Sequence, residues 1–238
     1  TNIVVSAVED YIYDKYKKFV SSKTKDIEFR NGFWQTTSSR FFILRSYIEK
    51  HQIQNAFHIE NDILVYSSLI AENEILKNTS YDMCVAMDSW NRCIPSIVWF
   101  RSVEVVNELT DLMQERYEEC DMYNLAAFFR SNPKVTNFPI VPTNYFSRKM
   151  EIDYDNLFDE FGGIFDACSI GQYLGGVDPR NIPGNTDGFI NETSVNNPSD
   201  FIYVWENGEL FAEWSGRTIK VNNIHVHSKN LKRFMDCV

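Results

Sequence analysis

The chain has 238 residues, is 44% hydrophobic and 15% aromatic, and so has the material for a packed core and none of the bias of a disordered chain. Its 33 acidic residues outnumber 23 basic ones, for a net charge of −10. That balance argues against nucleic acid as the main partner, because phosphate backbones are held by clustered Lys and Arg. Any anionic small ligand would need a local cation.

In chain order, Asn2 to Val8 reads as a short strand, and Asp10 to Phe29 is polar and tyrosine-rich without firm periodicity. A helical pattern runs from Trp34 to about Gln52: Phe41, Leu44 and Ile48 recur at three and four, and Thr36, Thr37 and Ser38 offer capping oxygens near its start. Ala56 to Tyr66 is expected as one strand carrying acids in its middle. Apolar segments follow at Asp82–Met87 and Ile94–Phe100. An amphipathic helix is expected at Ser102–Tyr117, and a second at Asp121–Arg130 capped by its aspartate. Past Pro133 the chain is richer in Pro, Gly and Asn, with short strands at Phe201–Trp205 and Leu210–Trp214. Alternating helix and strand periods predict an α/β domain with a mostly parallel sheet flanked by helices.

The five cysteines, Cys84, Cys93, Cys120, Cys168 and Cys237, show no CxxC spacing, which favours a reducing, cytoplasmic setting over a disulfide framework or zinc knuckle. No apolar run approaches the roughly 20 residues of a membrane helix.

Four features carry chemistry. In Glu60-Asn61-Asp62, an apolar run meets two carboxylates spaced i, i+2, which share one side of an extended chain. Like charges held together call for a cation, and carboxylate oxygens suit Mg²⁺ or Mn²⁺; a solvated strand end is the plain alternative. The second feature is Ile224-His225-Val226-His227-Ser228-Lys229, with two of the four histidines at strand spacing. Imidazole suits manganese better than magnesium, and Lys229 is a compact cation fit for a phosphate. The third is the stretch from Gly162 to Asp178, where five of the ten glycines surround Asp166, Gln172 and the helix expected at Ala167–Leu174. Asp166 is either a base or the cap of that helix. Arg40, on the helix before the acidic strand, is the fourth: it either pairs within the fold or touches a diphosphate.

The helix bearing Phe33-Trp34 and Arg40 to Leu44, followed by Phe57-His58-Ile59-Glu60-Asn61-Asp62-Ile63-Leu64-Val65-Tyr66, resembles the GT-A glycosyltransferases, in which an aromatic-rich helix precedes a strand ending in a DxD motif. His227-Ser228-Lys229 resembles the family's C-terminal histidine and lysine. In overall texture the chain is similar to the small glycosyltransferases of large DNA viruses and some bacteria. Glu60 stands where the family has its first aspartate. The family's uridine-contacting strand is expected at Thr1 to Val8 or upstream of it.

The resemblance implies one GT-A-like domain over 1–238, a Rossmann-type mixed sheet flanked by helices, with a nucleotide-sugar half at about 1–100 and an acceptor and metal-closing half at about 101–238. It implies a Mn²⁺ or Mg²⁺ ion on Glu60, Asp62 and His227, a nucleoside-diphosphate sugar (UDP-linked) as donor and a hydroxyl acceptor. Arg40, Glu60, Asn61, Asp62, Gln172, Asp178, Ser228 and Lys229 are the expected substrate contacts. Asp166 is the first candidate base, followed by Asp88 and then Asp178. Two rivals remain. A nucleotidyltransferase would carry a Gly-x-Gly-x-Arg loop near its start, and Thr1 to Gly32 has none. A carbohydrate-binding module would use Trp34, Trp90, Trp99, Trp205 and Trp214, which core packing also explains.

Overall fold

The computed structural model describes residues 5–22, 29–146, 151–184 and 186–235. The expected strand at Asn2 to Val8 lies partly outside them, and its described part is a loop leading into a 3₁₀ turn at Val8–Tyr11. Helix α1 (Asp14–Ser22) follows, then α2 (Phe33–His51). The hydroxyls near the start of α2 do not cap it. Thr36, Thr37 and Ser39 instead donate back to the carbonyls of Gly32, Trp34 and Thr36.

The single strand expected at Ala56–Tyr66 is two strands in different sheets. Strand β1 (Ala56–Ile59) and β2 (Ile63–Val65) are separated by a turn at Glu60–Asp62, closed by Ile63 N–H donating to Glu60 O at 3.3 Å. The two acids therefore sit at a strand end rather than on one face of a continuous strand. After α3 (Leu69–Lys77), β3 (Met83–Ser89) and β4 (Arg92–Phe100) form a hairpin, because only Trp90 and Asn91 separate them and so short a link can only reverse the chain. Helices α4 (Val103–Glu115) and α5 (Asp121–Ser131) and strand β5 (Val135–Asn137) follow. The sheet order is β1-β4-β3-β5, with only β3–β5 parallel.

Strands β3 and β4 are buried on both faces, and their alternating side chains enter two cores. Met83, Val85, Met87, Val98 and Phe100 face Phe41, Phe42, Val106, Leu109 and Leu125 of α2, α4 and α5. Cys84, Ala86, Ile97 and Trp99 face Leu76 of α3, with Phe138 and Phe165.

The C-terminal part adds α6 (Phe158–Phe161), β6 (Gly163–Ile164), α7 (Ser169–Gly175), β7 (Ile202–Glu206), β8 (Glu209–Trp214), β9 (Arg217–Val221), β10 (Asn223–His225) and α8 (Lys232–Met235). A second four-stranded sheet has the order β6-β9-β8-β7, parallel only at β6–β9. The fold is mixed α/β, and its sheets are mainly antiparallel where a mostly parallel one was expected. Strand β10 pairs antiparallel with β2, setting His225 opposite Ile63 and bringing the far end of the chain to the acidic turn. No helix among the described residues is long and apolar enough to cross a membrane.

Candidate functional site

The turn after β1 is held at both ends by backbone. Glu60 N–H donates to Ser96 O at 3.0 Å, and Val226 N–H donates to Asp62 O at 2.8 Å. Glu60 and Asp62 are thereby fixed beside β10, and with His225 they form a cluster whose ligand atoms lie within 4.8 Å of one another. His225 Nδ1 lies 3.1 Å from Ala167 O, and a carbonyl only accepts, so Nδ1 carries a hydrogen. The other nitrogen, Nε2, points at Asp62 Oδ2 (3.1 Å) and Glu60 Oε2 (3.9 Å). Burial works to lower the His225 pKa, but the hydrogen bond and charge of Asp62, with Glu60 and Asp166 beyond, raise it. Burial likewise pushes the Asp62 carboxyl up, and its bonds to His225 and Lys229 hold it well below the usual range. Lys229 Nζ sits on the same Asp62 oxygen.

Arg40 takes the first of its two expected fates, pairing within the fold. One guanidinium nitrogen pairs with Glu60 and the other with Asp121 Oδ2 at 2.7 Å, while the side chain lines the cavity. Asp121 is buried at the first residue of α5, with Cys120 as the N-cap, and it accepts from Met122 N–H at 3.1 Å. Expected only as a helix cap, Asp121 pairs with a residue 81 positions away, to which nothing in the local sequence ties it.

The cluster opens into a cavity of about 830 Å³, lined also by Asn61, Arg92, Gln172, Asp178, Arg180 and His227. Its far wall is aromatic: Phe29 and Trp34 stack with centroids 5.7 Å apart at 11°, and Arg30 lies 4.8 Å over Phe33. Arg30 and Arg180 both grip Asp178, at 3.2 and 2.6 Å. Arg180 first and then Arg30 hold the Asp178 carboxyl below its usual range against desolvation. His58 also lines the cavity; burial first, then the charge of Arg40, lowers its pKa to about 4.

Four expected residues are placed differently. His227 is outside the cluster: its Nδ1 accepts from Asp178 N–H at 2.9 Å, and burial, His225 and Lys229 lower its pKa to about 4. His225 takes the place expected for it, because the β10–β2 register ends there and the chain then turns away. Asp166 is fully buried and outside the cavity lining, its carboxylate accepting from Ile170 N–H (2.9 Å), Gly171 N–H (2.8 Å) and His225 N–H (3.0 Å). That is the capping arrangement, extended to a second element, and it leaves no oxygen facing an acceptor. Burial raises the pKa of Asp166 to about 6, opposed by those three amides. Asp88 is buried behind the cavity wall, paired with Arg92 and accepting from Ser194 Oγ at 2.6 Å. Ser228 lies outside the lining, its hydroxyl accepting from Asn230 N–H at 3.4 Å.

Glycine at 171 serves packing rather than a ligand. A Cβ there would lie 1.9 Å from His225 O, so α7 can approach β10 only with glycine. The four described cysteines are free thiols.

No family model, curated protein or solved structure matches this chain.

Proposed function

We propose that this chain is a metal-dependent glycosyltransferase of the GT-A type, taking a nucleoside-diphosphate sugar as donor and a hydroxyl as acceptor. The observation that carries the reading is the mixed donor set of Glu60, Asp62 and His225 at the floor of a cation-lined cavity. Five cations line it (Arg30, Arg40, Arg92, Arg180 and Lys229) against four carboxylates, in a chain that is otherwise strongly acidic. With Arg92 taken up by Asp88 behind the wall the lining is close to neutral, which admits an anionic ligand where the chain as a whole would repel one. Two carboxylates and one imidazole suit Mn²⁺ better than Mg²⁺, since imidazole is a transition-metal ligand. The order of α2, β1 and the acidic turn supports the GT-A reading.

A divalent ion on these three groups would supply Lewis-acid stabilisation to a departing diphosphate. Lys229 would add a direct cationic donor to the phosphates. Arg40 holds Glu60 in place, and Asp121 holds Arg40. Each of the four lining carboxylates is already engaged by a cation. None is poised to take a proton, which favours retention, with the leaving phosphate accepting the proton of the incoming hydroxyl.

The test is thermal unfolding with UDP, Mn²⁺, both together, and UTP. Ligands that bind only the folded chain raise the midpoint. UDP and Mn²⁺ together should raise it more than the sum of either alone. A preference for UTP would indicate nucleotidyl transfer, and indifference to UDP and Mn²⁺ would indicate a carbohydrate-binding module.

A further inference from the structure

Both acidic arms of the cluster already carry a cation, but the two cations are held differently. Glu60 is paired with Arg40, and Arg40 is pinned from its other side by Asp121, itself 2% exposed. Asp62 is paired with Lys229, whose side chain is 48% exposed. Among the described residues no second carboxylate forms an ion pair with Lys229. Its backbone is fixed in a left-handed turn (φ 65°), closed by Lys229 N–H donating to Val226 O at 2.9 Å. That turn lets the flexible four-carbon stem reach back to Asp62 with about half of the side chain exposed.

Lys229 Nζ and His225 Nε2 converge on the same oxygen, Asp62 Oδ2. A divalent ion held by Asp62 and His225 would bind the carboxylate that the ammonium already occupies, and like charges so close repel. The lysine and the metal therefore compete for one carboxylate.

We propose that Lys229 is a stand-in cation. It neutralises Asp62 while no metal is bound, and metal entry sends its ammonium into the cavity to meet the anionic group that accompanies the metal. Metal and anion then bind as a pair: the metal alone must displace Lys229 without return, whereas metal with a diphosphate gives the displaced ammonium a new partner. Such reciprocity is a coupling free energy between two ligands. The inference rests on the metal reading of Glu60, Asp62 and His225, and goes beyond it by fixing how that site is guarded and what order of affinity follows.

The experiment measures Mn²⁺ binding to the whole chain by electron paramagnetic resonance, alone and with saturating UDP. It compares the unaltered protein with Lys229→Met and Lys229→Gln, each checked by circular dichroism for an intact fold. Both variants should bind Mn²⁺ alone about tenfold tighter than the unaltered chain, and UDP should tighten Mn²⁺ about tenfold less in them. Folded variants that bind Mn²⁺ alone no tighter, or that keep the full UDP effect, overturn the stand-in role. Absence of saturable Mn²⁺ binding by the unaltered chain, with and without UDP, overturns the metal site itself and the inference with it.

Discussion

Replacing Asp166 separates a structural clamp from a chemical group. Its carboxylate accepts from the amides of Ile170, Gly171 and His225, all within 3.0 Å and in a fully buried setting. A buried amide left without an acceptor costs about 1–3 kcal/mol. Asp166→Ala strands three of them, and partial relaxation brings the expected loss to about 4 kcal/mol, at the upper end for single substitutions. Asp166→Asn keeps one acceptor oxygen and turns a donor toward the remaining amides, so its expected cost is about 2 kcal/mol. Because one of the three amides belongs to His225, both variants should also bind Mn²⁺ less tightly, in the same order. Urea unfolding followed by tryptophan fluorescence gives the stabilities, and Mn²⁺ titration gives the second readout. An Ala variant within about 1 kcal/mol of the unaltered chain, yet devoid of transfer activity, would refute the clamp and restore Asp166 as a reacting group.

Gly171→Ala should cost about 3 kcal/mol or more and weaken Mn²⁺ binding, since its Cβ meets the His225 carbonyl at 1.9 Å and must push β10 away; a normal melting midpoint would contradict the packing. Glu72 supplies a pH test remote from the cavity. Burial raises its pKa from 4.5 to about 7, against its hydrogen bond to Ser67 and the charge of Lys220. A raised carboxyl contributes most below its unfolded pKa and loses that contribution as pH rises through the folded value. Stability should therefore fall between about pH 4.5 and 7, by at most about 3 kcal/mol, and Glu72→Gln should flatten that slope. Parallel pH profiles for the two proteins would show that Glu72 is ionised in the fold.

The parts of the site legible in the sequence are local ones. An apolar run ending in Glu60 and Asp62 behind a helix with Arg40 needs only a few dozen neighbouring residues to be seen, and these three do meet. The antiparallel β3–β4 hairpin departs from the mostly parallel sheet expected because period and composition say nothing of strand direction, which the two-residue link Trp90–Asn91 decides. The two histidines at strand spacing offered two candidates, and the resemblance pointed to His227, whereas it is His225 that the fold sets beside Glu60 and Asp62. That depended on a register fixed only when β10 meets β2, more than 150 residues away in the chain. Asp166 before a glycine-bearing helix has the same local appearance as a cap and as a base. The amide of His225, 59 residues on, distinguishes them.

The central claim, that Glu60, Asp62 and His225 hold a divalent ion, is tested most directly by Mn²⁺ titration under electron paramagnetic resonance with UDP present. The comparison is among the unaltered chain, Asp62→Asn, His225→Gln and His227→Ala. Loss of a ligand should weaken Mn²⁺ by about 10- to 100-fold or more in the first two variants, since even outer partners of a metal site are worth that much. His227→Ala should bind as the unaltered chain does. Retained binding in His225→Gln together with loss in His227→Ala would move the ion to the other histidine and contradict the account.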